Sequence, residues 1–196
     1  MPSRGRGAAT VVWDLRPGEG MHRFICDVAD PASVQDAMER TLEQAGTPAV
    51  LVTAAGVGSV APLLDLEAAE WERVQGVNLR GTMLCLQAVA RVMTEVGGGS
   101  IVCVSSISGR MPGRGMAAYC CSKAGVDMLV TVAAAELGAH GIWVNAVAPG
   151  ITVTPMNAEF RAIPGMVDLM SSRTPLGGIA APATVGDGRR RSPTAV

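Results

Sequence analysis

The sequence predicts a single α/β domain built on a parallel β-sheet with helices packed on both of its faces. Short apolar runs of strand length alternate with longer segments of helical periodicity, the order that a parallel sheet with helical crossovers requires. The strand-like runs are apolar throughout instead of alternating apolar and polar, as strands covered on both sides are. A length of 196 residues suits one such domain and is short for two.

Val11-Val12-Trp13, closed by Asp14, reads as the first strand, and Phe24-Ile25-Cys26 before Asp27 as the second. From Pro31 to Ala45 the apolar residues Val34, Ala37, Met38, Leu42 and Ala45 recur at helical intervals. Asp30 is the N-cap there, proline occupies the first helical position and Gly46 is the stop. Ala49-Val50-Leu51-Val52 forms a third strand and opens onto Thr53-Ala54-Ala55-Gly56. A long helical stretch from about Glu67 to Val96 reads as two helices meeting near Gly76-Val77-Asn78, closed by Gly97-Gly98-Gly99. Ile101-Val102-Cys103-Val104 is a fourth strand, with Ser105 and Ser106 at its C-terminal end. A loop rich in Gly, Arg and Pro leads into a helix from about Met116 to Leu137, and Ile142 to Val147 is a fifth strand ended by Pro149-Gly150.

Beyond Thr152 the pattern weakens. Residues 156–170 read as loop with short helical turns, in which Met156, Met166 and Met170 either line an apolar lid or fill gaps. One domain over 1–185 is expected, followed by a disordered tail, 186–196, with Arg189-Arg190-Arg191 among Gly, Ser and Pro.

A net charge of −1 argues against a nucleic-acid or membrane-surface partner, and three arginines in a tail add only a small basic patch. The five cysteines have no CxxC spacing and no neighbouring histidine, so neither a metal site nor a disulfide framework is expected. They read as small buried thiols, with Cys120 and Cys121 packing a helix, in a reducing cytoplasm. Met1 to Gly7 leads into no apolar signal segment. The apolar runs near 49–61 and 142–151 are too short or too glycine-rich to span a bilayer. The expectation is a soluble cytoplasmic protein, with His22 and His140 on its surface.

The informative composition lies elsewhere. Tyr119 is the single tyrosine, and Lys123 the single lysine among 16 basic residues, four positions apart on one helix face. An ammonium beside a phenol favours the phenolate and makes tyrosine a usable proton donor or acceptor. In open parallel sheets, ligands sit beyond the carboxyl ends of the strands. Asp14, Ser106 and the Thr152/Thr154 pair fall there.

Ser106 followed by Tyr119-Cys120-Cys121-Ser122-Lys123 resembles the signature of the short-chain dehydrogenase/reductase family: a serine, then YxxxK, in this order and spacing. Further landmarks appear in sequence. Cys26-Asp27-Val28 matches the Asp-Val element near the adenine ring, and Asn78-Leu79-Arg80-Gly81 the helical NxxG. Thr53-Ala54-Ala55-Gly56 keeps Ala55-Gly56 of the NNAG segment, and Val144 to Thr154 matches the stretch whose Pro149-Gly150 turn and threonines meet the nicotinamide. The resemblance, over about residues 8 to 180, implies a Rossmann-like, doubly wound parallel sheet in a three-layer α/β/α arrangement. It further implies Tyr119 as general acid/base, Lys123 lowering its pKa and binding the nicotinamide ribose, and Ser106 polarising a substrate carbonyl. Asn78 would hold a water beside Lys123, Thr154 would meet the carboxamide, and Asp14 would bind the adenosine ribose. An acid at Asp14 favours NAD over NADP, tempered by Arg16.

Two departures from the family pattern stand out. Its first strand, TGxxxGxG turn and helix have no match; Gly5-Arg6-Gly7 lacks a preceding strand, and Gly56 to Ala61, which formally fits GxGxxA, aligns with the NNAG segment instead. That strand belongs between those ending at Asp14 and Val52. The final helix and strand are likewise unmatched after Thr174-Pro175-Leu176-Gly177-Gly178-Ile179. Two functions are therefore weighed: a dehydrogenase moving a hydride between NAD and a secondary alcohol or ketone, such as a 3-oxoacyl carbonyl, and a truncated, inactive remnant serving as a dimerisation or binding module. By the resemblance, pairing would run through the helices at about 79–96 and 116–137, making a dimer the expected assembly over a tetramer.

Overall fold

The computed structural model describes residues 9–18, 22–175 and 177–186. Among them lie β1 (Val12–Asp14), β2 (Arg23–Ile25), β3 (Val50–Thr53), β4 (Gly99–Val104) and β5 (Ile142–Val147). The helices are α1 (Pro31–Ala45), α2 (Ala68–Gln75), α3 (Gly81–Glu95) and α4 (Ala117–Leu137), then the short α5 (Ala158–Arg161), α6 (Met166–Ser172) and α7 (Pro182–Gly186). Each element expected from the sequence through β5 is present, with ends shifted by at most a residue or two. Apart from Gly186, which ends α7, the expected tail lies outside the described residues.

Local chemistry explains the boundaries. The Asp30 carboxylate accepts the Ala32 N–H at 3.0 Å and caps α1. Gly46, at φ +78°, closes the same helix by donating to the Leu42 carbonyl at 3.1 Å. Between α2 and α3 the chain widens into a π turn over Gly76–Arg80, which carries the fully buried Asn78 inward.

All strand pairs are parallel: β1 with β2 in one sheet, and β3-β4-β5 in order in the other. No ladder joins β1 to β3 among the described residues, which is where the unmatched first strand of the resemblance belongs. In the larger sheet, the register aligns Leu51 with Ile101 and Ile101 with Val144, and Thr53 with Cys103. These residues face α3 and α4, and Ile101, Cys103, Ile142 and Val144 enter one core with Leu86, Val89, Met93, Val126 and Val130. Met38 brings α1 into the same core, so α1, α3 and α4 form one helical layer. On the opposite face Val50, Val52 and Trp143 are 61%, 57% and 75% exposed.

Trp13 of β1 packs against both hydrophobic clusters, and its indole N–H donates to the Thr41 hydroxyl at 2.9 Å. That hydroxyl donates onward to the Ala37 carbonyl at 2.7 Å, so the polar edge of the indole is satisfied inside the helix. Cys26, Cys85 and Cys103 are buried as expected, and burial raises their thiols, Cys85 to about 12. Cys121 departs from the expectation of buried thiols: it is exposed, and Cys120 is half-buried, because α4 turns only one face to the sheet. With the turn that follows it, α4 is long and apolar enough to cross a membrane by length and composition, a stretch not singled out from the sequence. Its Val126, Val130 and Ala133 are core residues here.

Candidate active site

α4 sets Tyr119 and Lys123 one turn apart, with the Lys123 ammonium 5.8 Å from the centre of the Tyr119 ring. Lys123 is only 5% exposed, and its Nζ donates to the Val104 carbonyl at the end of β4 at 2.8 Å. Ser106 begins the 3₁₀ turn Ile107–Gly109, where its Oγ accepts the Ser108 N–H at 3.1 Å, and its hydroxyl acts on the nearby Tyr119 phenol. Ser106, Tyr119 and Lys123 are thus brought together, as the spacing suggests.

Their electrostatics differ from the sequence expectation. Burial pushes the Tyr119 phenol above its ordinary range, opposed by the Ser106 hydrogen bond. Burial likewise pushes the Lys123 ammonium below its ordinary range, opposed by Cys103 and Asp127. Lys123 therefore does not leave Tyr119 with a depressed pKa in this structure: desolvation penalises both charged forms and sets the sign. The protonated phenol is the form the site holds at neutral pH.

The Asn78 side chain is held by protein partners on both of its amide atoms. Its Oδ1 accepts the Val57 N–H at 2.8 Å, and its Nδ2 donates to the Val57 carbonyl and the Ser122 Oγ, both at 3.0 Å. Both amide protons are committed to protein, so the side chain braces the loop after β3 against α4. Ser122 passes the brace on by donating to the Tyr119 carbonyl at 2.7 Å.

Ser122 and Ser105, whose Oγ donates to the Lys123 carbonyl at 3.3 Å, are the supporting residues that sequence reasoning missed. For Ser122 the available signal was a serine on the buried face of α4, one position before Lys123. Gly109 is a further one. A Cβ there would lie 3.0 Å from the backbone of Lys123 and Ala124. Because backbone cannot yield, Gly109→Ala is expected to lower stability by about 1–3 kcal/mol, read as a lower urea midpoint with an unchanged m-value.

The rim of the site is laced together. Arg73 pairs with Glu70 at 2.7 Å and donates to the Gly58 carbonyl at 2.9 Å. Hydrogen bonds from Arg73 and Ser59 hold the Glu70 carboxyl down at about 2. The Ala61 N–H donates to the Gly115 carbonyl at 2.8 Å, joining this loop to the one before α4. Met156 lies beside Gly58, where a Cβ would be 3.5 Å from its sulfur, and is 54% exposed. Met170 is buried, so it fills a gap instead of lining a lid.

The residues assigned to a cofactor fall into three groups. Gly56 approaches Lys123, and a Cβ there would lie 3.9 Å from Nζ and 3.4 Å from the Asn78 Oδ1; its neighbour Ala55 is exposed. The Pro149 carbonyl accepts the Ile107 N–H at 3.1 Å, which ties the loop after β5 to the Ser106 turn. Beyond Gly150, the Thr152 hydroxyl donates to the Gly150 carbonyl at 3.2 Å, and the Thr154 N–H donates to the Asn157 Oδ1 at 3.2 Å. The third group is at β1 and β2. Asp14 accepts the Arg16 N–H at 2.9 Å and Asp27 accepts the Ala29 N–H at 2.9 Å, while Val28 packs on Gly81 at the start of α3. No cluster of three His, Cys, Asp or Glu side chains suited to a metal occurs among the described residues.

Comparison with known proteins defines the class. The short chain dehydrogenase family model matches residues 3–164, and the chain belongs to that family. The fold is accordingly its Rossmann-like, doubly wound α/β/α class, of which α1, α3 and α4 form one helical layer. The chain is 40% identical over 151 residues to D-threitol dehydrogenase of Mycolicibacterium smegmatis, covering 76% of this chain and 58% of that protein. It is 41% identical over 181 residues to (3R)-3-hydroxyacyl-CoA dehydrogenase of Rattus norvegicus, covering 88% and 67% respectively. Among solved structures, a gluconate 5-dehydrogenase from Burkholderia cenocepacia in complex with NADP and tartrate superposes with a TM-score of 0.81 at 31% identity, over 83% of this chain and 64% of the other. A short-chain type dehydrogenase/reductase from Mycobacterium marinum gives 0.77 at 33% identity, over 82% and 64%. The chain thus spans roughly three-fifths to two-thirds of the length of these relatives.

Proposed function

We propose that the chain carries the catalytic half of an oxidoreductase that interconverts a secondary alcohol and a ketone with a nicotinamide dinucleotide. The observation that supports this most is the Lys123 ammonium 5.8 Å from the centre of the Tyr119 ring, with Ser106 acting on the same phenol. The residues fit the dinucleotide at both ends. Lys123 makes one hydrogen bond among the described residues, to Val104, and an ammonium has three N–H groups to offer a ribose. The close approach of Gly56 to Lys123 keeps side-chain bulk away from it. Asp14 stands at the end of β1 with an exposed carboxylate for the adenosine ribose. No glycine turn running from a strand into a helix for the pyrophosphate occurs among the described residues.

When bound, the nicotinamide ring gives or takes the hydride. In the direction of reduction, Ser106 donates a hydrogen bond to the substrate carbonyl oxygen and Tyr119, held neutral, passes its phenolic proton to that oxygen. In the direction of oxidation, the phenolate takes the hydroxyl proton, and Lys123 stabilises that anion. Asp14 alone favours NAD over NADP. The exposed Met156 beside Gly58 supports an apolar substrate. The exposed Met128 and Val132 on α4 support pairing of two copies through α3 and α4.

A second reading, an inactive remnant acting as a pairing or binding module, is supported by the lack of a ladder joining β1 to β3 among the described residues. The two are separated by titrating the purified chain with NAD and NADP in a calorimeter, then following reduced nicotinamide with a panel of secondary alcohols. Micromolar binding with turnover is the expected result. Absence of binding by a folded chain leaves the second reading.

A further inference from the structure

We propose that Arg23 converts the Asp14 subsite from one that excludes a 2′-phosphate into one that accepts it, so that the chain takes NADP at least as well as NAD. The inference rests on the dinucleotide reading of the site and concerns its adenosine end alone.

The β1–β2 register pairs Val12 with Arg23 and Asp14 with Ile25, so Asp14 and Arg23 lie diagonally on one face of the parallel pair. The Arg23 Nη2 is 3.6 Å from the Asp14 Oδ2, and the side chains are 31% and 45% exposed. The other Asp14 oxygen accepts the Arg16 N–H at 2.9 Å. Two features show that the guanidinium is built into this corner. Its Nε is buried without a partner among the described residues, and Gly18 lies so close over it that a Cβ there would overlap Nε and lie 2.6 Å from Cζ. A side chain at position 18 would displace the arginine.

The consequence is electrostatic. A lone carboxylate repels a 2′-phosphate. Here the carboxylate is offset by the Arg23 guanidinium 3.6 Å away, while Arg16 contributes its backbone N–H. The pair is partly exposed and longer than a tight charge-assisted bond, so Arg23 can leave Asp14 for a better acceptor. A phosphate presents that acceptor geometry to a guanidinium fork. With NAD, Arg23 remains on Asp14, whose carboxylate still accepts a ribose hydroxyl. With NADP, the Arg23 guanidinium is directed to the 2′-phosphate, screening it from Asp14.

The test is equilibrium binding of NAD and NADP by calorimetry to the wild-type chain, Arg23→Gln and Arg23→Lys, with folding checked by circular dichroism. Wild type is expected to bind NADP at least as tightly as NAD. Arg23→Gln is expected to lose about tenfold or more in NADP affinity with NAD nearly unchanged, and Arg23→Lys to recover part of that loss. Wild-type NADP affinity should also fall more steeply with added salt than NAD affinity, a measurement that needs no variant. A tenfold or greater wild-type preference for NAD (about 1.4 kcal/mol) overturns the proposal, as does equal loss of both nucleotides in Arg23→Gln or equal salt dependence. NAD binding with an unaltered ratio in Arg23→Gln sinks the role of Arg23 and leaves the dinucleotide reading standing. Failure of wild type to bind either nucleotide refutes both.

Discussion

Tyr119→Phe is expected to lower turnover by about 10²–10⁴-fold while leaving the fold and nucleotide affinity unchanged. The substitution removes one hydroxyl, on which Ser106 acts, and the ring keeps its place beside Lys123. The pH profile gives the test a sign. Because burial raises the Tyr119 pKa, the neutral phenol persists well above neutrality. Ketone reduction, which needs that proton, should be flat from acid to neutral pH and fall only in alkali. Alcohol oxidation, which needs the phenolate, should rise with pH over the same alkaline range. Ser106→Ala removes the hydrogen bond that opposes the upward shift, so its oxidation profile should move further to alkaline pH as well as losing rate. A Tyr119→Phe variant that keeps more than about a tenth of wild-type turnover would remove Tyr119 from the proton transfer.

The fold was legible because its signals were local. Asp30, Pro31 and Gly46 bound α1 by capping chemistry that needs no tertiary knowledge, and the apolar runs at Val50 and Ile142 leave little choice but strand. The placement of Ser106, Tyr119 and Lys123 followed from spacing, since residues four apart on a helix share a face whatever surrounds them. What spacing cannot carry is solvation. The expected depression of the Tyr119 pKa by Lys123 considered the charge and omitted the burial of both groups, which decides the sign. Arg23 was passed over for a related reason: its relation to Asp14 exists only across the β1–β2 register, and nothing in the order of the chain announces it. Asn78 was singled out by resemblance, but its work depends on the π turn that aims it at Val57 and Ser122.

That work makes Asn78 the side chain whose truncation should cost most in stability. Asn78→Ala leaves the half-buried Val57 N–H and carbonyl without their partner and takes one hydrogen bond from Ser122. Leaving such groups unsatisfied costs about 1–3 kcal/mol each, so a loss of about 3 kcal/mol or more is expected in urea unfolding. Ser122→Ala removes a single link at each end and should cost about 1 kcal/mol. Asn78→Asp keeps the size of the side chain and can still accept from the Val57 N–H, but it offers no proton to Val57 or Ser122 and buries a charge at a site with 0% exposure. It should therefore be no better tolerated than alanine. If Asn78 were only a filler in the π turn, the aspartate variant would approach wild-type stability. The chain from Val57 through Asn78 and Ser122 ends on the Tyr119 carbonyl, so the damage should also reach the chemistry. Under conditions where Asn78→Ala remains folded, the expected kinetic signature is a fall in kcat larger than any rise in KM, because the brace sets where the phenol stands and makes no contact that holds the substrate.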